Sequence, residues 1–356
     1  MNSNRIVIVV IGLLGSLLLF LPLLSCTETK TINGEEKNIK GEELFKFETR
    51  DYICSSPCVA DGIVYVGSND SFLYAIEAKT GDEMWRFKAA WVNSSPSVVD
   101  GVVYFGSMLY NLFAVDTETG RMKWRFMTDG GVHSSPCVAE GMVYFGSGDD
   151  HLYALDAETG DEKWHFETNS KVDSSPCVAD GIVYVGSLDK HLYALDAQTG
   201  NERWKFETDS TVDSSPCVAD GVVYFGSGDD QLYAVDAKTG DERWRFKTGD
   251  DIISSPFVID GVVYIGSNDN YLYAVDTLMG KEKWRFKTGD DVLSSPCVVD
   301  GVVYFGSNDT YLYAVDAITG EERWRFKTGD WVESSPCVVD GVVYFGSWDG
   351  FLYAIR

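Results

Sequence analysis

The sequence repeats itself with a period of 40 residues, and this repeat limits the architectures that the chain can adopt. A Ser-Ser-Pro tripeptide marks each copy, and one residue is missing between the first two copies. A unit this short cannot bury a core by itself, so each unit must pack against its neighbours. The eight copies have their prolines at Pro57, Pro96, Pro136, Pro176, Pro216, Pro256, Pro296 and Pro336.

Each unit has the pattern of four short β-strands. In residues 214–248, runs of β-branched and aromatic residues are separated by Asp-Gly, Gly-Asp-Asp and Lys-Thr-Gly. Asp220 and Gly221 suit the two-residue turn of a hairpin, and Gly240 suits a left-handed turn position. Four strands per 40-residue unit is typical of a propeller blade. We therefore predict an all-β fold over residues 43–356, an eight-bladed β-propeller of four-stranded antiparallel blades.

The order of the strands within a blade follows from proline and from the chain ends. Proline cannot donate a ladder hydrogen bond, so the Ser-Ser-Pro strand is predicted at the inner edge and the strand with Trp244 at the outer rim. The last unit ends after its third strand. Residues 45–49 match the fourth strand of another unit, residues 204–208, with Phe45 in place of tryptophan. We predict that residues 44–49 complete the last blade and close the ring.

A motif in each unit resembles the tryptophan-docking motif of the PQQ-repeat propeller family. In the fifth unit, residues 234–244 have the pattern Ala-x-Asp-x-x-Thr-Gly-x-x-x-Trp, and the resemblance extends over nearly everything after residue 42. Glu77 replaces the aspartate in the first unit, and Met279 replaces the threonine in the sixth. The resemblance implies that one tryptophan per unit docks a blade onto its neighbour. These residues are Trp85, Trp124, Trp164, Trp204, Trp244, Trp284 and Trp324.

The same family contains both enzymes and binding proteins. It includes PQQ-dependent quinoprotein dehydrogenases and a non-catalytic lipoprotein of the outer-membrane barrel-assembly machinery. For an enzyme, the resemblance implies calcium-ligating acidic residues, an aromatic platform beneath the quinone and a disulfide between adjacent cysteines. This sequence has no adjacent cysteines and no blade with a long insertion, although catalytic residues commonly lie on such loops. We therefore expect no catalytic residues and neither PQQ nor Ca²⁺, and we keep the dehydrogenase as the third interpretation.

Most cysteines occupy one position of the repeat. Equivalent positions on neighbouring blades should lie about 10 Å apart, whereas a disulfide requires Cβ atoms within about 4.5 Å. We expect these cysteines to be small buried apolar residues, with metal binding as the alternative. They are Cys58, Cys137, Cys177, Cys217, Cys297 and Cys337.

The histidines and aspartates have no clear catalytic spacing. His133, His151, His165 and His191 are expected to serve on the surface or in packing. Pairs of aspartates, such as those at 229–230 and 250–251, fall in two families of loops and are expected mainly to form turns. Specific calcium binding is the less favoured alternative, because the short loops lack a run of spaced oxygen ligands.

The N-terminus predicts export. Residues 1–26 have a short polar start and an apolar run, and residues 23–26 resemble the lipobox of bacterial lipoproteins, in which Cys26 is lipidated. The alternative is an uncleaved membrane anchor, because the apolar run is close to the roughly 20 residues that span a bilayer. Residues 27–42 form a polar tether. Either way, we expect the propeller in the periplasm or cell envelope, or on the outer face of the cytoplasmic membrane.

The charge limits the partners. The formal net charge of -26 repels nucleic-acid phosphates and anionic lipid headgroups. We therefore predict no nucleic-acid partner, and contact with a membrane only through the N-terminal anchor. The propeller is expected to be a monomer.

Unit-specific chemistry must lie where the repeats differ. Three residues before Ser-Ser-Pro, aromatic residues occur only in units eight, one and two, which become neighbours when the ring closes. After Gly-Ser, units two and eight carry large apolar residues where the other units carry mainly Asn, Gly and Asp. We predict an interaction patch there for a protein or cell-surface partner, and hence a non-catalytic binding or scaffold function, with an outer-membrane assembly scaffold as the alternative. The competing interpretation is that terminal repeats have diverged and pack on each other. The patch residues are Tyr52, Trp91, Met108, Leu109, Tyr110, Trp331 and Trp348.

Overall fold

The computed structural model describes residues 41–356, which form eight four-stranded antiparallel sheets and no helix. The sheets are the blades of a β-propeller, and the predicted fold class is confirmed. The described residues therefore contain no helix long and apolar enough to cross a membrane. The predicted leader with Cys26, and the tether up to residue 40, lie outside the described residues.

The strand bounds repeat from blade to blade. The first strand of the described residues is β1 (Glu43–Glu48). Blades one to four comprise β2 (Cys58–Ala60), β3 (Ile63–Gly67), β4 (Phe72–Glu77), β5 (Glu83–Lys88), β6 (Ser97–Val99), β7 (Val102–Ser107), β8 (Asn111–Asp116), β9 (Met122–Met127), β10 (Cys137–Ala139), β11 (Met142–Gly146), β12 (His151–Asp156), β13 (Glu162–Glu167), β14 (Cys177–Ala179), β15 (Ile182–Gly186), β16 (His191–Asp196) and β17 (Glu202–Glu207). Blades five to eight comprise β18 (Cys217–Ala219), β19 (Val222–Gly226), β20 (Gln231–Asp236), β21 (Glu242–Lys247), β22 (Phe257–Ile259), β23 (Val262–Ser267), β24 (Tyr271–Asp276), β25 (Glu282–Lys287), β26 (Cys297–Val299), β27 (Val302–Gly306), β28 (Tyr311–Asp316), β29 (Glu322–Lys327), β30 (Cys337–Val339), β31 (Val342–Gly346) and β32 (Phe351–Ile355).

The inner strands surround the axis of the ring. Each inner strand contacts the inner strands of both neighbouring blades, and β30 contacts β2 to complete the circle. The proline of the repeat precedes this strand rather than lying in it, since Pro57 comes directly before β2. The position at the inner edge was therefore predicted correctly, but the strand is shorter because proline has no N–H to pair.

A closed circle of hydrogen bonds joins the blades at their inner ends. In every blade, the backbone N–H of the second serine of Ser-Ser-Pro donates to the hydroxyl oxygen of the same serine in the next blade. The first of these bonds, from Ser56 to Ser95, is 2.9 Å long, and the last, from Ser335 back to Ser56, is also 2.9 Å. The second serine of each Ser-Ser-Pro thus links its blade to the next.

The tryptophans join the blades at the outer rim. Trp204 lies in β17 of blade four, and its indole N–H donates to the carbonyl of Ala237 in blade five at 3.1 Å. The turn of blade five covers the indole at Gly240, where a Cβ atom would lie 2.8 Å from the ring. Gly240 has a φ of 75°, so glycine is required both for the turn and for the close approach. The other indole donors are Trp85, Trp124, Trp164, Trp244 and Trp284.

The ring closes as predicted, with β1 as the outer strand of blade eight. β1 pairs antiparallel with β32, and the N–H groups of Glu42 and Arg356 each donate to the other's carbonyl at 2.8 Å. Phe45 takes the place of the tryptophan. Its ring lies against Gly81 of blade one, where an added Cβ atom would come within 2.5 Å of it. Trp324 packs instead under Gly41. β1 begins at Glu43, one residue earlier than expected.

The loops divide the ring into two faces. The turns between second and third strands and the connections between blades lie on one side, which we call the top face; the Asp-Gly hairpins and the Thr-Gly turns lie on the other, the bottom face. β1 pairs with β32 so that Glu43 lies beside Ile355 and Glu48 beside Phe351. Residue 41 therefore enters the ring on the bottom face, and the predicted patch lies on the top face.

Candidate functional site

Three aromatic side chains of the predicted patch stack on each other where blade eight meets blade one. The rings of Tyr52 and Trp348 lie 4.7 Å apart at an interplanar angle of 17°, and those of Trp331 and Trp348 lie 4.7 Å apart at 46°. The backbone N–H of Trp348 donates to the carbonyl of Trp331 at 2.9 Å. Trp331 is 38% exposed. We call these three residues the aromatic stack.

A carboxyl group and a thiol lie beside the aromatic stack. The indole N–H of Trp348 donates to Oε2 of Glu333 at 3.0 Å, and the Cys54 side chain also hydrogen-bonds to this carboxyl group. Burial raises the pKa of Glu333, although the bonds from Trp348 and Cys54 oppose the shift. Burial raises the pKa of Cys54 to about 12, so the thiol stays protonated at neutral pH. The sequence interpretation overlooked these two residues, which share the variable position directly before Ser-Ser-Pro.

Glu333 is expected to report its protonation through Trp348. Because the folded protein raises this pKa, the stability contribution of Glu333 is fully present below its unfolded pKa and is lost as the pH rises through the raised value. The fluorescence of Trp348 should therefore change with a midpoint above the usual range of glutamate. Glu333→Gln should remove the transition. A midpoint in the usual range, or one that survives in Glu333→Gln, would contradict this assignment.

The remaining patch residues line a groove of about 700 Å³. Trp91, Leu109 and Tyr110 are 57%, 65% and 49% exposed, and together we call them the blade-two wall. Met108 is partly buried, and its backbone N–H donates to the carbonyl of Trp91 at 3.1 Å. Tyr110 has a φ of 61°, a turn conformation that bulky residues rarely adopt. Blade two thus keeps a large apolar ring where the turn favours a small or polar residue.

Met127 is a further exposed apolar residue of blade two, at the end of its outer strand. It is 75% exposed, and the next residue, Thr128, donates its backbone N–H to the carbonyl of Tyr110 at 2.9 Å. The sequence interpretation missed Met127, but the repeat carries the signal. The outer strands of the other seven blades have a charged residue here: Glu48, Lys88, Glu167, Glu207, Lys247, Lys287 and Lys327.

One aspartate per blade holds the top-face turn in seven of the blades. Oδ2 of Asp229 accepts the hydroxyl of Tyr233 at 2.8 Å and the N–H of Asp209 at 2.9 Å, while Oδ1 accepts the N–H of Gln231 at 3.1 Å. These aspartates form turns, as expected. Blade two has Leu109 in place of the aspartate. The others are Asp70, Asp149, Asp189, Asp269, Asp309 and Asp349.

A group of carboxylates lies elsewhere on the top face, between blades five and six. Oxygen atoms of Asp230, Asp250 and Asp251 lie within 4.8 Å of one another. Burial raises the pKa of Asp251, and the neighbouring charges of Asp250 and Asp230 add to the shift. Carboxylate oxygens are ligands of hard cations such as Ca²⁺. This group is the one set of three such ligands within that distance in residues 41–356.

Comparison with known families shows which family the chain belongs to. A family model described as outer membrane protein assembly factor BamB, a PQQ-repeat model, matches residues 37–95, 73–211, 167–255, 193–296 and 289–356. The chain belongs to this PQQ-repeat propeller family. No curated protein sequence matches the chain.

Solved PQQ-repeat propellers and other structures share the fold at low identity. BamB from Moraxella catarrhalis is 18% identical, with a TM-score of 0.76 over 89% of this chain and 99% of BamB. The computationally designed Ika8 protein is 18% identical, with a TM-score of 0.81 over 89% of this chain and 100% of Ika8. Quinohemoprotein alcohol dehydrogenase from Comamonas testosteroni is 17% identical, with a TM-score of 0.75 over 88% of this chain and 76% of the enzyme. Binding proteins and enzymes share this fold, so the likeness does not assign an activity.

The quinone site expected of an enzyme in the PQQ-repeat family does not fit these residues. The acidic group lies between blades five and six, whereas the aromatic stack lies between blades eight and one. The structure therefore separates the two components that a quinone site would need to combine. The seven cysteines within residues 41–356 carry thiols, and burial raises the pKa of Cys137 to about 12, so that this thiol is protonated.

The histidines have separate surroundings. Nδ1 of His151 lies 2.7 Å from the carbonyl oxygen of Asp149, and Nδ1 of His191 lies 3.0 Å from that of Asp189. His165 pairs with Glu162 at the surface. His133 is exposed and lines the groove beside the blade-two wall.

Proposed function

We propose that this propeller is a non-enzymatic binding scaffold of the cell envelope, and that its partner is a protein. The observation that carries the proposal is the placement of large apolar side chains on one sector of an acidic molecule. The aromatic stack and the blade-two wall belong to blades eight, one and two. The corresponding positions of blade six carry Asp251 and Asp269.

Exposed aromatic side chains of this kind are typical of interface centres. Tryptophan and tyrosine contribute much of the binding free energy in many protein interfaces, methionine is enriched in them, and water exclusion around these side chains strengthens the contact. Trp91 and Trp331 remain 57% and 38% exposed although packing of the ring does not require it. The competing interpretation, that the terminal repeats pack on each other, accounts for the contacts of Trp348 but not for the exposure of Trp91.

The topology supports a simple orientation for this scaffold. Residue 41 enters on the bottom face, and the aromatic residues lie on the top face. Residues 27–40 can span at most about 50 Å when fully extended. An anchor at Cys26, as the sequence predicts, would hold the bottom face nearer the membrane and leave the top face open to a partner in the envelope.

We expect the double substitution Trp91→Ala with Trp348→Ala to remove the partner. Full-length wild type and variant are captured from native membranes, and the co-purified proteins are compared by mass spectrometry. Each lost anchor should cost about 2 kcal/mol or more, so the double variant should bind its partner about 1000-fold more weakly. The matched control is Leu278→Ala with Ile318→Ala, two apolar residues on the bottom face that are 85% and 86% exposed. Retention of every partner by the Trp91 and Trp348 variant would refute the proposed surface.

The second candidate is a scaffold for outer-membrane protein assembly. The family match supports it, because the matching model carries the description of an outer membrane protein assembly factor. The same capture experiment tests it: components of an outer-membrane assembly complex should be retained by wild type and lost with the aromatic residues. If purified protein soaked with PQQ and Ca²⁺ gains a stoichiometric quinone absorbance, the non-enzymatic proposal is wrong.

A further inference from the structure

The groove beside the blade-two wall is open because blade three lacks two side chains. Gly131 occupies the position of Trp91 and Trp331, and Gly148 occupies the position of Trp348. A Cβ atom on Gly131 would lie 3.4 Å from the terminal methyl group of Met108, which is ordinary contact with a flexible side chain. Neither glycine has a positive φ. A Cβ atom on Gly148 would lie 3.3 Å from the carbonyl oxygen of Gly131, a tighter contact, but other blades accommodate Leu188 or Trp348 at this position. The turn itself therefore does not demand glycine, and both glycines leave space.

The far side of the groove carries the ammonium group of Lys171, and the groove also contains one carboxyl group, that of Asp129. Lys171 lines the groove and is exposed, and within residues 41–356 no carboxylate lies within salt-bridge distance of its ammonium group. His133 lines the same side. At the position of Lys171, no other blade has a basic residue, and blades six and seven have Asp251 and Asp291. In a chain with a net charge of -26, this unpaired lysine marks the groove as a place for a negative group.

We infer that the groove binds an extended polypeptide segment in which a bulky apolar side chain is followed closely by an acidic one. This inference rests on the proposed protein-binding function and specifies its ligand. The apolar side chain packs on the blade-two wall, the backbone passes over Gly131 and Gly148, and the carboxylate pairs with Lys171. An extended backbone advances about 3.3 Å per residue, so neighbouring side chains of one segment can reach both sides.

The composition of the wall favours a polypeptide over a polysaccharide. Leu109 is 65% exposed, and its side chain cannot hydrogen-bond to the hydroxyl groups of a sugar. Leucine and methionine instead provide adaptable apolar contact for a side chain of similar chemistry. Glycines also allow a peptide backbone to approach closely, as side chains at 131 and 148 would not.

The experiment uses full-length protein in detergent and a random heptapeptide library displayed on phage. The enriched peptides should pair an aromatic or large aliphatic residue with Asp or Glu within a few positions. A synthetic peptide of the consensus is then titrated by fluorescence anisotropy. Lys171→Glu should weaken its binding about tenfold and should switch the selected charge to Lys or Arg, because an exposed pair is replaced by repulsion. Lys238→Glu, the same change on the bottom face, should leave both the affinity and the selected charge as in wild type.

A second variant fills the groove without touching the lysine. Gly131→Tyr introduces the residue that blade one carries at this position and should reduce binding at least tenfold, whereas Thr211→Tyr in blade five should leave it unchanged. Thermal melting establishes that all variants are folded. The inference is overturned if the peptides show no acidic preference, if Gly131→Tyr binds them like wild type, or if the groove retains a cell-wall polysaccharide instead. Loss of the native partner with Trp91 and Trp348 but not with Gly131→Tyr would refute the groove and leave the proposed function standing.

Discussion

A chain that lacks residues 1–49 is expected to lose the native ring. The deletion removes β1, so β32 would become an unpaired edge and blade eight would keep three strands. Gly81 of blade one would also lose the ring of Phe45 beneath it. Because each blade contacts only its neighbours, loss of this junction opens the circle and exposes apolar strand faces. We expect aggregation, or a monomer with an expanded radius and a melting transition lowered by at least about 10 °C, measured by size-exclusion chromatography and circular dichroism.

Two controls separate the strand from the residues that precede it. A chain of residues 41–356 keeps β1 and should melt as the full-length protein does. In the second control, residues 42–49 follow Arg356 through a turn copied from residues 237–240, so that blade eight becomes continuous like the others. This permuted chain should recover the native melting temperature. A compact, native-like melt for the chain without residues 1–49 would show that closure by β1 is dispensable.

Local chemistry made the fold readable from the sequence. Asp220 and Gly221 have φ angles of 50° and 72°, the values of the two-residue turn that this pair predicts. The match between residues 45–49 and 204–208 predicted the closing strand because both strands fill the same place in a blade. The length of the inner strands was not predicted. Proline ends the ladder, and the backbone N–H of Ser56 bonds to the next blade and not within its own sheet, a contact that only the assembled ring shows.

The candidate site was only partly readable. The seven patch residues follow from comparing equivalent positions of the units, and Met127 could have been found in the same way. Glu333 and Cys54 could not, because only the fold shows that the position before Ser-Ser-Pro lies beside the indole of Trp348. The open floor at Gly131 and Gly148 was also missed, since the sequence interpretation looked for added side chains and not for missing ones.

Trp204→Ala is expected to lower the free energy of unfolding by about 3 to 5 kcal/mol. The indole is 9% exposed, and it fills the space beneath Gly240 and beside Tyr184, whose ring lies 5.8 Å away. Most of this loss should come from the cavity. The carbonyl of Ala237 would keep a partner, because the hydroxyl of Tyr184 also donates to it at 2.9 Å. Urea denaturation followed by circular dichroism measures the change through the midpoint.

Trp91→Ala is the matched control, because it removes the same side chain from a site that is 57% exposed and should change stability by no more than about 0.5 kcal/mol. The contrast between the two variants tests the division of the tryptophans into those that join blades and those that are free to bind a partner. A small loss for Trp204→Ala would mean that the neighbouring turn can collapse onto the vacated space. A large loss for Trp91→Ala would assign that side chain to the ring and remove the main argument for an exposed binding surface.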